Sequence, residues 1–219
     1  MRQPLDQMRI LREAVNFIDQ RGLQKLTMRR LGADLGVEAM ALYRYVPGRE
    51  QLLDGVVELV MDELYQDTMA MLAPRNWPEY LQQMAHGVRR LALAHPRIFP
   101  LVATRPPAAP WLRPPLRSLR WVEMFLQGLK DYGFSAPARI AVYRGFATFL
   151  LGHLLLESSL AGPEADMPAS ADIAFIETND MSAYPLVTES EELLRQDAFL
   201  GEFEEALEDL INRMAALHT

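Results

Sequence analysis

Between Leu26 and Pro47 the chain reads Leu-Thr-Met-Arg-Arg-Leu-Gly-Ala-Asp-Leu-Gly-Val-Glu-Ala-Met-Ala-Leu-Tyr-Arg-Tyr-Val-Pro, and this stretch restricts the fold most tightly. Thr27 is a good N-cap, because its hydroxyl accepts a backbone N–H that the first helical turn leaves unpaired. Gly36 can take the left-handed conformation that ends a helix, which predicts a helix over Met28 to Leu35. A second helix is expected from about Glu38 to Tyr45, stopped by Pro47. Two short helices about a tight turn, with Tyr and Arg exposed on the second, are the layout of a helix-turn-helix that reads a DNA groove.

That layout has physical demands. Close helix crossing favours a small residue, here Gly32, and the second helix needs an apolar anchor, here Leu42 with Val46 one turn on. The opposite face then presents Ala39, Met40, Tyr43 and Arg44 as candidate base readers. Arginine reads guanine, and Ala or Met can touch thymine methyls. Thr27, Arg29, Tyr45 and Arg49 are placed for phosphate contacts, which set register and make binding salt-dependent. The bland alternative is a pair of ordinary helices with a solvated basic face. Charge bears on the choice: the chain carries −7 overall, but residues 1–50 hold nine Lys/Arg against six Asp/Glu, so the acidic excess lies entirely in the remainder. Such asymmetry marks a nucleic-acid-facing end.

Helical spacing dominates elsewhere, and strand alternation is nearly absent, so the expected fold is all-α. A first helix is predicted from about Asp6 to Gln20. Residues 1–48 are expected to form the helix-turn-helix domain and 49–219 a helical ligand-binding and dimerisation domain, opened by a connecting helix over 49–72. A further helix runs from Trp77 to near His95. Seven prolines between Pro96 and Pro115 forbid one continuous helix there. Leu116 to Asp131, Ala136 to Leu160, Glu189 to Gln196 and Ala198 to Leu217 are predicted helices. Ala161 to Pro185 has weak periodicity and reads as a loop. On the last helix Phe203, Leu207, Leu210, Ile211 and Met214 form an apolar stripe, expected to build a homodimer interface together with the Ala136–Leu160 helix, with packing back on the chain's own core as the bland alternative.

The run Thr27-x-Arg29-x-Leu31-Gly32-x-x-Leu35-Gly36-Val37-Glu38-x-x-x-Leu42-Tyr43-x-Tyr45-Val46, followed by Arg49-Glu-Gln-Leu-Leu-Asp54, resembles the DNA-binding domain of the TetR family of bacterial repressors. Shorter pieces resemble the C-terminal domain of that family's tetracycline-responsive members: Thr104-Arg105-Pro106, Tyr132-Gly133-Phe134-Ser135, and Ala198-Phe-Leu-x-x-Phe-Glu-x-x-Leu-x-x-Leu-Ile211. The resemblance implies an all-helical homodimer that binds a double-stranded DNA operator and leaves it when a small-molecule effector occupies the C-terminal domain.

The resemblance fails where the drug and its magnesium would sit. The corresponding positions are Tyr65, Met84, Val88, Leu101, Phe125 and Leu156, with Glu157 adjacent. Hard cations need oxygen ligands, and these positions supply almost none. No cofactor and no metal are therefore expected. An apolar effector is expected instead, lined by Tyr65, Met69, Met84, Val88, Leu101, Thr104, Arg105, Phe125, Tyr143 and Phe149. For any one Met or Phe among them, simple core packing is the competing explanation.

Three function classes remain open. The leading one is a ligand-responsive repressor. A second is a DNA-binding regulator whose C-terminal part only dimerises. A third is a small-molecule enzyme, for which no nucleophile elbow, phosphate loop or metal motif is present. Absence of cysteine fits a reducing cytoplasm. Met1 to Asp6 has no apolar run, and the apolar run Phe146 to Leu156 is short and holds His153, so neither a secretion signal nor a membrane span is expected.

Overall fold

A computed structural model describes residues 4–105, 118–160, 183–196 and 198–218. The described residues are helical, with short turns between. α1 spans Gln7–Arg21, α2 Met28–Leu35, α3 Ala39–Leu42, α4 Arg49–Met71, α5 Trp77–Ala94, α6 Phe99–Thr104, α7 Leu119–Asp131, α8 Ala136–Leu160, α9 Pro185–Leu194 and α10 Phe199–Met214. Single 3-10 turns cover Leu23–Lys25 and Ala215–Leu217.

Local chemistry explains most boundaries. The Asp6 carboxylate accepts from Arg9 N at 2.8 Å and starts α1. Asn76 accepts from Glu79 N at 2.9 Å and starts α5, with Pro78 in its first turn. The Ser118 hydroxyl accepts from Trp121 N, so α7 begins at Leu119, three residues later than the spacing predicts. α3 is shorter than expected. Glu38 stays extended as its N-cap, and the tail closes with Tyr45 N donating to Leu42 O at 2.9 Å. Pro47 disfavours helical backbone at Val46, so the chain leaves the helix through this tight turn. α9 begins a turn before the predicted Glu189, because Pro185 acts as a helix starter there and not as a breaker. The loop expected over 161–185 otherwise lies outside the described residues at 161–182, as do residues 106–115 of the proline-rich stretch.

The helices enclose one continuous apolar core. α1 packs on α2 and α4, so the N-terminal head shares α4 with the body. Within the body α5 and α7 pack on α8, as do α6 and α10. Phe125 sits at the middle of an aromatic cluster with Trp121, Tyr143, Phe146 and Tyr80, at centroid distances of 5.0–6.2 Å. The Tyr80 hydroxyl donates to the carbonyls of Met124 and Phe125, at 3.0 and 3.2 Å, which ties α5 to α7.

α8 is the most apolar helix, yet only 39 % of its apolar stretch is buried inside the chain, and Leu156 on it is 65 % exposed.

Candidate nucleic-acid interface and effector site

The geometry of the head follows from two glycines. Gly36 adopts φ 70°, the left-handed conformation, and reverses the chain after α2. Gly32 faces the start of α3 so closely that a Cβ there would lie 2.9 Å from Val37 O and 3.3 Å from Ala39 N. The Thr27 hydroxyl caps α2 by accepting from Arg30 N at 3.2 Å, and its own proton remains free to donate outward.

α3 and the turn after it hang on Leu42 and Val46, both buried. Around that anchor Met40 is 75 % exposed, Tyr43 42 % and Tyr45 41 %, and Arg44 is also exposed. Ala39 is half-buried against α2. Thr27 and Arg29 open to solvent at the start of α2. Arg49 is exposed but already directed inward, donating to Leu23 O at 3.5 Å and facing Glu50 at 3.9 Å. Sequence reasoning did not single out Arg30, which donates to Lys25 O at 3.0 Å and braces the turn before α2.

The residues expected to line an effector site fall into four places. Met84, Val88, Phe125 and Tyr143 lie in the core, and burial pushes the Tyr143 phenol up to about 12, so it stays protonated. Tyr65 is half-buried, with the Arg120 guanidinium 5.5 Å over its ring, and Met69 is exposed. Phe149 stacks on Phe203 at 5.7 Å and opens onto a recess of about 580 Å³ between α8 and α10. Leu101, Thr104 and Arg105 form the end of α6, where Leu101 is half-buried and the Thr104 hydroxyl turns back to Pro100 O at 2.7 Å.

Arg105 makes the most informative contacts. Its Nε donates to Asp54 at 2.7 Å, and its Nη2 donates to the Glu50 carbonyl at 2.8 Å and to the Glu50 carboxylate at 2.9 Å. The side chain is only 11 % exposed. α6 is thereby tied to the first turns of α4, just after α3 and its closing turn. Glu50 and Asp54 stand four apart on one face of α4, and that spacing is the only sequence signal that they share a partner.

A second tie joins head to body. His95 Nδ1 lies 2.7 Å from the Asp19 carboxylate of α1, and Arg97 donates to the Asp19 carbonyl at 2.8 Å. The hydrogen bond to Asp19 raises the His95 pKa above its usual 6.5, against burial, which lowers it, and Glu63 adds to the rise. A pKa raised on folding means the imidazolium is favoured in the folded state. Its stabilising contribution is therefore complete below the unfolded pKa and is lost as pH rises through the raised folded value. Unfolding of wild type and His95→Gln between pH 5 and 9 should show a wild-type advantage of about 1 kcal/mol at the acid end that disappears at the alkaline end. A constant difference across the range would rule out the charged pair.

The apolar stripe of the last helix is buried in the chain itself. Phe203, Leu207, Leu210, Ile211 and Met214 are all packed within the core, with α10 lying on α8 and α5. The carboxylate of Glu157, beside the position where the resemblance would place a metal ligand, is held by Arg89.

Residues 10–56 match the family described as bacterial regulatory proteins, tetR family. Residues 72–217 match the tetracyclin repressor-like C-terminal domain. Over 135 residues the chain is 36 % identical to the HTH-type transcriptional repressor DrrR1 of Streptomyces coeruleorubidus. That match takes in 61 % of this chain and 46 % of the repressor, so the chain spans about half the length of this relative. Among solved structures, a possible TetR family transcriptional regulator from Streptomyces coelicolor A3(2) is 26 % identical and superposes with a TM-score of 0.74, covering 96 % of this chain and 99 % of that one. ActR of Streptomyces coelicolor, solved in complex with actinorhodin, is 25 % identical with a TM-score of 0.71, covering 98 % of each chain. With both the reading head and the C-terminal domain matched, the chain belongs to the TetR family of bacterial regulatory proteins.

Proposed function

We propose that the chain is a ligand-responsive transcriptional repressor. As a homodimer it binds a palindromic operator through α2 and α3, and a small, largely apolar molecule in the C-terminal domain releases it. The observation that carries this reading is the Arg105 tie. It links α6, at the edge of the expected effector site, to the start of α4, directly behind the reading helix. A ligand that shifts α6 acts on the head through this contact. Two heads per operator are what a helix-turn-helix requires, since half-sites repeat about one helical turn apart. The uncovered apolar face of α8 around Leu156 supports pairing with a second copy. The ligand complex of ActR supports a ligand-bearing C-terminal domain.

A second reading has its own support. Met84, Val88, Phe125 and Tyr143 are packed in the core, which favours a regulator whose C-terminal domain only dimerises. Titrating palindromic DNA from around the chain's own gene, with actinorhodin as first probe of release, separates the two. The repressor reading expects two chains per palindrome and a fall in affinity of about tenfold or more with the probe or a related apolar compound. Leu156→Glu is expected to give monomers in sedimentation and to weaken operator binding with them. Binding as a monomer would overturn the dimeric reading. Operator retention with every compound of an apolar panel would leave the second reading.

A further inference from the structure

Apart from the residues discussed so far, a cavity of about 230 Å³ lies between the C-terminal half of α4 and the middle of α5, lined by Thr68, Met71, Leu72, Gln83, His86 and Arg90. It occupies a different face of α5 from Met84 and Val88. Its polar side chains are unusual in what they lack. The Thr68 hydroxyl is an orphan: the residue is 3 % exposed, and its Oγ1 has no hydrogen-bond partner. Such a group costs free energy unless something pairs with it. Among the described residues the Arg90 guanidinium has one polar contact, a weak one to Met71 Sδ at 3.4 Å, and no carboxylate. Gln83 uses its oxygen to accept from Ala73 N at 3.0 Å, which leaves its amide protons.

Two of these groups, the Thr68 hydroxyl and the Arg90 guanidinium, converge on one point. A Cβ built on Gly87 would lie 3.1 Å from Thr68 Oγ1 and 3.8 Å from Arg90 Nη2. The hydroxyl and the guanidinium therefore face the same small space above Gly87, which only glycine leaves open. Nothing in the lining is acidic. The His86 ring at its edge meets a carboxylate of α10, with Glu204 3.5 Å from His86 Nε2. Met71 and Leu72 add an apolar wall.

We propose that this cavity binds a small organic anion, a carboxylate on a short apolar body. The carboxylate accepts from Thr68, Arg90 and the Gln83 amide, and the body lies against Met71 and Leu72. Arginine and carboxylate form the stronger, charge-assisted kind of hydrogen bond, and the buried hydroxyl gains the partner it lacks. The site does not rest on the repressor reading, and its test contains no DNA.

The test is a fluorine NMR titration of the full chain with 4-fluorobenzoate, set against neutral 4-fluorobenzamide. Saturable binding of one benzoate per chain is expected, with the amide about tenfold weaker. Arg90→Gln should weaken benzoate about tenfold and Thr68→Val about fivefold, without lowering the Tm. Gly87→Ala, which puts a methyl group where the two donors meet, should abolish saturable binding and leave a folded protein. No saturable binding up to the order of 10 mM would overturn the proposal. So would equal binding of the amide, or benzoate affinity unchanged in Arg90→Gln and Thr68→Val.

Discussion

Replacing Tyr43 and Arg44 together with alanine should lower operator affinity about 100-fold or more while leaving the proposed dimer whole. An arginine paired with a guanine edge is worth about 1–3 kcal/mol, and loss of a further contact from Tyr43 adds to it. Both side chains are exposed, and the buried anchors Leu42 and Val46 are untouched, so the head keeps its fold. The two positions lie at the opposite end of the molecule's chain order from α8 and α10, so sedimentation should be unchanged. Fluorescence anisotropy at fixed salt reads the affinity, because salt alone moves such constants by orders of magnitude. Unchanged affinity in the double variant would remove α3 from the role of reader.

The second large effect is expected far from DNA. Arg89 and Glu157 form a two-point ion pair between α5 and α8, nearly out of solvent, with Arg89 Nε donating to Glu157 at 3.1 Å and its Nη2 to the other oxygen. The guanidinium also lies 5.5 Å over the Phe203 ring. Arg89→Met strands a buried carboxylate and should cost about 3–5 kcal/mol of stability. Glu157→Leu should cost less, about 1–2 kcal/mol, because the long Arg89 side chain can carry its charge toward solvent. The double replacement should return to within about 1 kcal/mol of wild type, since an apolar pair of similar volume replaces both desolvated charges. Denaturant unfolding of the four proteins closes this cycle. A cost below about 1 kcal/mol for Arg89→Met would show that the carboxylate finds water or another partner.

The sequence revealed those features whose causes are local. Thr27, Gly36 and Pro47 act through their own backbone neighbours, so α2, the turn and the end of α3 could be read one residue at a time. The stripe Phe203 to Met214 was legible as a stripe, but not what covers it. Periodicity says which side of a helix is apolar and is silent on whether the chain's own α8 or a second copy meets it. Arg105 could be singled out, yet its partners Glu50 and Asp54 lie more than fifty residues away and are joined to it only by the fold. The same holds for His95 and Asp19, which periodicity places on separate helices with no reason to meet. Positions assigned to the effector site by resemblance are distributed by the structure among the core, the α6 end, the α4 surface and the α8–α10 recess. Resemblance carries positions along a chain and does not carry the packing that decides which of them share a space.

The tie between Arg105, Glu50 and Asp54 has a consequence for how ions in the medium act on the protein. Its carboxylates are not sealed: Glu50 is largely exposed and Asp54 partly so. At 0.1 M the Debye length is about 10 Å, so added salt weakens the longer-range attraction at the open Glu50 side of this junction, and the sheltered Arg105–Asp54 contact far less. Ionic strength thus presses on two contacts at once, one between protein and nucleic acid and one inside the protein. The slope of affinity against salt is then not a simple count of phosphates touched, because part of it measures how firmly the body holds its own head.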